Sequence, residues 1–210
     1  MKRSVVYDVV RAVCMPIGWV FRLSALHRER VPSDGPLIVV SNHESIIDPV
    51  MMGLCFRGRQ MNYMAKSELF KNRLLGGFFR QMRVFPIKRG TPDRGAIAEA
   101  TKRLEAGGVL GIFPEGTRHH EGMGEAHGGA AFLAVRTNAT VLPTAIIGTD
   151  RIRPDGKGPL RFPRITVVYG KPIAPDPSLD GKQQVQALTQ ALMEGIAAAA
   201  AEAGTQGAEA

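Results

Sequence analysis

The 210-residue chain is poor in cysteine and in aromatic rings: two cysteines, one tryptophan, and 6% aromatic residues in all. Cys14 and Cys55 make no CxxC pair and no disulfide framework, which suits a reducing compartment. No uncharged run exceeds 13 residues (137–149), whereas a spanning helix needs about 20 apolar residues, so no bilayer crossing is expected. The P-loop pattern GxxxxGK[ST], the GxSxG nucleophile elbow, and the HExxH and CxxC zinc patterns are all missing. Met1-Lys2-Arg3 starts as a secretory signal would. Asp8 and Arg11 then interrupt the apolar stretch and no small-residue cleavage site follows, so no export signal is read. Acid is scarce too: 19 Asp and Glu face 27 Lys and Arg, a formal charge of +8 and a pI near 9.9. Such a field attracts phosphate, whether on nucleic acid, an anionic membrane or a small molecule.

What is present fits one α/β domain. With 44% hydrophobic and 22% charged residues, the composition excludes a mostly disordered or collagen-like chain. The length is enough to bury a core without disulfides or a structural metal. Residues 1–30 form an apolar, basic helical segment with a kink or break expected at Pro16-Ile17-Gly18. That segment suits a helix packed on the core and a helix lying in a membrane interface about equally; Trp19 falls at a kind of position interfaces favour. Residues 31–196 form the main domain, and 197–210 a low-complexity tail expected to fray.

Within the main domain, apolar runs of strand type occur at 37–40, 61–65, 84–87, 109–113, 141–147 and 165–169. Helical stretches separate them at 49–56, 72–82, 91–106 (Thr91 as N-cap, Pro92 in the first turn), 128–137 and 182–200. Strands alternating with helices predict a single, mostly parallel or mixed sheet flanked by helices.

Of the five histidines, His43 stands out. Val39-Val40-Ser41-Asn42-His43 leaves a strand directly, and α/β folds place reactive groups just beyond strand ends. Asp48 follows five residues later. If the chain turns there, its carboxylate accepts a hydrogen bond from one imidazole nitrogen, fixes the tautomer and leaves the other nitrogen as a base. Asp48-Pro49 equally reads as a helix start with Asp as N-cap, and Asn42 as a turn cap. A second strand ends in Phe113-Pro114-Glu115-Gly116-Thr117-Arg118, where Arg118 can grip a phosphate with its planar fork; read alone, the segment also suits an ordinary polar turn with a surface ion pair. A third ends in Lys88-Arg89-Gly90, which also suits a merely solvated strand end. Two cationic strand ends would form an anion pocket if the strands were neighbours. The stretch 151–164 carries five cations against Asp155, and suits a basic loop facing a membrane as well as a solvated loop.

Taken in order, these segments resemble the PlsC-type lysophospholipid acyltransferases. Asn42-His43 with Asp48 is similar to that family's NHxxxxD motif, and Phe85 to Arg89 to its second motif. Residues 113–118 match FPEGTR completely. Val141 to Ile146 and Tyr169 to Ile173 resemble its later segments. The likeness covers roughly 30–175.

The resemblance implies transfer of an acyl group from an acyl thioester, on coenzyme A or acyl carrier protein, to a lysophospholipid hydroxyl. The expected acceptor is 1-acyl-sn-glycerol 3-phosphate and the product phosphatidic acid. His43 would be the base and Asp48 its orienting partner. Asn42, Lys88, Arg89, Glu115, Gly116, Thr117 and Arg118 would bind substrate. No metal or cofactor beyond the thioester is expected, and no nucleic acid. The expected partners are a membrane lipid surface, the lysophospholipid and the acyl carrier, with peripheral attachment at the cytoplasmic face of the cell membrane. Two departures from the family pattern bear on the acceptor: Lys88 stands where an acid is common, and His127-Gly128-Gly129 where a lysine often precedes the glycine. Other readings are acylation of glycerol 3-phosphate or of a glycolipid, and a noncatalytic domain that binds anionic lipid.

Overall fold

The computed structural model of the chain describes residues 4–88, 93–114, 128–153 and 158–207. In chain order the main elements are α1 (Val5–Val20), β1 (Ser24–Leu26), β2 (Leu37–Ser41), α2 (Asp48–Cys55), β3 (Met61–Lys66), α3 (Arg73–Gln81) and β4 (Val84–Ile87). There follow α4 (Arg94–Glu105), β5 (Val109–Ile112), α5 (Gly129–Thr137), β6 (Thr140–Ile147), β7 (Thr166–Tyr169) and α6 (Gly181–Gly207). Seven strands form one sheet in the order β1-β7-β6-β2-β5-β3-β4. The five from β6 to β4 are parallel; β7 runs against β6, and β1 lies parallel to β7. The sheet is thus mixed, with helices on both faces, as the alternation of apolar runs predicts.

β2 shows why an unbroken apolar run becomes a central strand. Successive side chains point to opposite faces, and both faces are covered. Leu37 and Val39 enter a cluster with Met51, Met52 and Cys55 of α2 and with Tyr169. Ile38 and Val40 enter another with Ala96, Ala100 and Leu104 of α4, Ala130, Ala131 and Ala134 of α5, and Leu188, Leu192 and Ile196 of α6. Alanine-lined helices can lie close against the sheet. At the β3–β5 contact the fit is tighter still: a Cβ on Gly111 would stand 2.5 Å from Cε1 of Tyr63.

Four local expectations differ from what the structure shows. Pro16 does not break α1, which continues to Val20; Pro16 is exposed, so the carbonyl that loses its N–H donor can meet water. The N-cap of α4 is Asp93, whose side chain accepts from the Ala96 N–H, so the helix starts two residues later than Thr91-Pro92 suggests. β1 was not expected. The stretch thought to fray from 197 is helical to Gly207; Ala199 is buried and Glu202 accepts a 2.8 Å bond from Arg30.

α1 is neither a core helix nor free. Tyr7 and Gly18 are its buried residues. The Tyr7 hydroxyl donates to the Gly53 carbonyl and the Arg11 guanidinium to the Leu54 carbonyl at 3.1 Å, holding α1 on the carboxyl-terminal part of α2. Cys14 packs against the core cluster, while Val5, Val9, Val13 and Trp19 face outward, with Trp19 76% exposed. No helix among the described residues is long and apolar enough to cross a membrane.

Candidate active site

β2 and β5 are neighbours in the middle of the sheet, and the chain leaves their carboxyl ends in opposite directions. After β2 it passes to α2 on one face; after β5 it passes to α5 on the other. Loops that part in this way open a crevice at the strand ends, where open α/β sheets hold their ligands. His43 and Phe113 meet across it, their rings stacked with centroids 4.2 Å apart and planes 25° apart.

His43 Nδ1 lies 2.9 Å from Asp48 Oδ2. The same oxygen accepts the backbone N–H of Glu44 at 2.8 Å and of Ser45 at 2.7 Å. Asp48 is fully buried, and three donors on one oxygen offset the cost of taking a carboxylate out of water. Nδ1 is therefore the protonated nitrogen, donating to Asp48. Nε2 has no hydrogen bond to a described residue.

The helix-start reading of Asp48 is thereby corrected. Asp48 is the first residue of α2, with Ile47 in the capping position and Pro49 in the first turn. Its side chain turns back to the loop behind it rather than forward to the helix N–H groups.

Asn42 continues the sheet by other means. Backbone pairing of β2 with β6 ends at Ser41 and Thr144. One rung further, the Asn42 amide donates to the Ile146 carbonyl at 2.9 Å, while the Ile146 N–H donates to the Asn42 amide oxygen at 2.8 Å. The amide also donates to Glu44 at 3.2 Å, and Ser41 Oγ donates to its oxygen. The buried Asn42 side chain is thus held by the protein itself and fixes the backbone from which His43 projects.

Lys88 is exposed just past β4, and its N–H donates to Asp93 at 2.8 Å. The strand ends at Lys88 and at Phe113 are not neighbours, because β3 lies between β4 and β5. The residue at the carboxyl end of that intervening strand is Lys66, also exposed, and sequence reasoning did not single it out. Phe113 was noticed as part of a motif, but without its role against His43. Tyr63 was missed as well; its hydroxyl donates to the Pro49 carbonyl at 3.1 Å and so steadies the first turn of α2. Burial pushes the Tyr63 phenol well above its ordinary pKa, with Tyr7 and Tyr169 adding to the effect, so it acts as a fixed donor. Arg89, Glu115, Gly116, Thr117 and Arg118 lie outside the described residues, as does His127. Among the described residues no cluster of three His, Cys, Asp or Glu side chains could hold a metal.

His43, held at Nδ1 by a buried carboxylate at the strand ends of an α/β sheet, has the arrangement that a general base requires. The sequence model of the Acyltransferase family matches residues 23–147, and the chain belongs to that family. It is 30% identical over 172 residues to the 1-acyl-sn-glycerol-3-phosphate acyltransferase of Bacillus subtilis, covering 81% of this chain and 84% of that one. Its identity to the Streptococcus pneumoniae protein of the same name is 30% over 171 residues, or 80% of this chain and 62% of that one. Among solved structures, PlsC of Thermotoga maritima, a 1-acyl-sn-glycerophosphate (LPA) acyltransferase, shares the fold. The TM-score is 0.61 at 24% identity, over 92% of this chain and 83% of that one.

Proposed function

We propose that the protein acylates the free hydroxyl of 1-acyl-sn-glycerol 3-phosphate, giving phosphatidic acid, with an acyl thioester on coenzyme A or acyl carrier protein as donor. The observation that carries this reading is the His43–Asp48 pair at the crevice. His43 Nε2 takes the proton of the acceptor hydroxyl as its oxygen attacks the thioester carbonyl. The new C–O bond forms and the carbonyl π electrons move onto oxygen. When they return, the C–S bond breaks and the thiolate takes the proton from His43. Asp48 stays an acceptor throughout, holding the tautomer and favouring the transient imidazolium. General-base help of this kind is worth roughly 10²–10⁴ in rate. No metal takes part in this scheme.

Lys66 and Lys88 put positive charge at the neighbouring strand ends, where the acceptor phosphate needs it. Arg89 and Arg118 would add to it, and Glu115, Gly116 and Thr117 would complete the acceptor site. The curated relatives' acceptor favours the lysophospholipid over glycerol 3-phosphate or a glycolipid.

The acceptor is amphipathic, so the enzyme has to work at a lipid surface. The outward apolar residues of α1 support peripheral attachment through that helix, and the reading places it at the cytoplasmic face.

The test is transfer from palmitoyl-coenzyme A, and from palmitoyl acyl carrier protein, to 1-acyl-sn-glycerol 3-phosphate, with His43→Ala alongside. Transfer by the parent and a loss on the order of 10² or more in the variant are expected. A folded parent that acylates glycerol 3-phosphate or a glycolipid instead would overturn the acceptor. Equal activity in parent and variant would overturn the mechanism.

A further inference from the structure

α3 is a nine-residue helix that turns most of its large apolar residues outward. Asn72 caps it, accepting the N–H groups of Leu74 and Leu75. A helix packed on a globular domain normally points its apolar stripe inward. Here the fully buried residue is Gly76, which lies against the backbone of Phe70, and only the half-buried Phe79 among its large apolar residues packs inward, its ring centroid 5.7 Å from that of Phe70. Leu74, Leu75 and Phe78, spaced i, i+1, i+4 on one stripe, are exposed, Leu74 by 87%, and Leu69 in the preceding turn adds to the patch. Arg73 and Arg80 lie off the stripe, and the Arg80 guanidinium sits over the Phe70 ring, 5.6 Å from its centroid.

The patch is bordered by positive charge. Residues 66–88 contain six cations and a single acid, Glu68, and Lys66, Lys71, Arg73, Arg80 and Lys88 are exposed. α3 follows a 3₁₀ turn, Ser67–Phe70, that begins immediately after Lys66 at the carboxyl end of β3. Its first residues are thus joined directly to the end of the sheet from which His43 projects.

We infer that α3 is a second lipid-contacting element: its Leu74-Leu75-Phe78 stripe enters the interface of an anionic bilayer beside the mouth of the active site, and the exposed lysines near it engage lipid phosphates. An interfacial helix needs an apolar stripe turned outward and long cationic side chains that reach headgroup level. The charge selects an anionic surface rather than a neutral one. The inference rests on the reading that the acceptor is taken from a membrane, but it concerns a different element from α1, so the two can fail separately.

The experiment places an environment-sensitive dye at Leu74→Cys, at Val13→Cys on α1, or at Glu105→Cys on α4 as control, each in the full chain with Cys14→Ser. Cys55 is buried and its thiol is pushed up to about 11 by desolvation, so it does not compete for the label. Vesicles are phosphatidylcholine with and without phosphatidylglycerol. The expected result is a blue shift at position 74 with phosphatidylglycerol vesicles, a weaker one with phosphatidylcholine alone, and none at position 105.

A shift at 13 without one at 74 would overturn α3 and leave α1 standing. A shift at 74 alone would uphold α3 and overturn the α1 reading. No shift at either would overturn both. A shift at 74 that follows protein concentration in the absence of vesicles would mean that a second copy covers the stripe, and would also overturn the inference.

Activity gives an independent readout. Leu74→Glu should lower transfer to a vesicle-borne acceptor roughly tenfold and leave transfer to a short-chain acceptor dissolved below its micellar concentration unchanged. Equal loss on both would assign Leu74 a structural role and refute the inference.

Discussion

Replacing Asp48 by Asn separates orientation of the base from mere occupancy of the site. In the parent, one carboxylate oxygen takes three donors at 2.7–2.9 Å. Hydrogen bonds to a charged group contribute about 1.5–3 kcal/mol and neutral ones about 0.5–1.5, so an amide oxygen in the same place loses roughly 1 kcal/mol per bond. Its NH₂ would take the place of Asp48 Oδ1, which is buried and has no partner in the structure; an unsatisfied buried donor costs a further 1–3 kcal/mol or so. Relief from burying a charge works the other way and cancels a large part. The net expectation is a loss of about 2 kcal/mol, a fall of roughly 4–8 °C in Tm for a chain of this size. Activity should fall much further. The neutral amide can present its NH₂ to Nδ1 and stabilise the wrong tautomer, and it does not favour the imidazolium; a loss on the order of 10²–10⁴, about 3–5 kcal/mol of barrier, follows. The assay pairs thermal melting with initial rates at saturating acceptor. A folded Asp48→Asn enzyme working within about tenfold of the parent would refute the role given to the carboxylate.

Three further outcomes follow from the packing and the hydrogen bonds. Asn42→Ala leaves the buried N–H and C=O of Ile146 without their side-chain partner and should cost about 2–4 kcal/mol, visible as a lower denaturant midpoint, with activity reduced but above that of His43→Ala. Gly111→Ala drives a methyl into the Tyr63 ring and should destabilise by about 1–3 kcal/mol; Gly111→Ala combined with Tyr63→Leu should recover part of that loss in the same melt, and full additivity would contradict the contact. In the folded protein at about pH 8, iodoacetamide should modify Cys14 and spare Cys55, whose thiolate fraction is on the order of one in a thousand because burial raises its pKa to about 11; mass spectrometry of the peptides reads this directly, and equal labelling would contradict the burial.

Much of the fold and the His43–Asp48 contact could be read in the sequence, because both depend on short-range pattern. The run at 37–40 is short, apolar and of strand type, and His43 and Asp48 are close enough along the chain for one turn to join them. What escaped was set by distant partners. β1 is three residues long and exists by pairing with β7, about 140 residues away; nothing in Ser24-Ala25-Leu26 itself demands a strand. That β3 separates the ends of β4 and β5 is a matter of strand order, which local pattern does not encode. Thr91-Pro92 reads as a better helix start than Asp93, yet Asp93 binds both the Ala96 N–H and the Lys88 N–H; the second of these closes a turn the sequence does not announce. The outward stripe of α3 was hidden because periodicity reports that a helix has an apolar side and is silent on which way that side turns.

The geometry of the His43–Asp48 pair is written within a single loop of six residues, while the surface that completes the crevice comes from other strands. The relative placement of base and carboxylate is therefore insulated from small shears of the sheet. A slip between β2 and β5 would move Phe113 and everything beyond it with respect to the imidazole, yet leave Nδ1 bonded to Asp48. Changes in the remote core should thus show first as poorer substrate placement, with proton transfer intrinsically intact. The surface beyond Phe113 can vary in shape and charge around a His43–Asp48 pair that is assembled once, locally, and left alone.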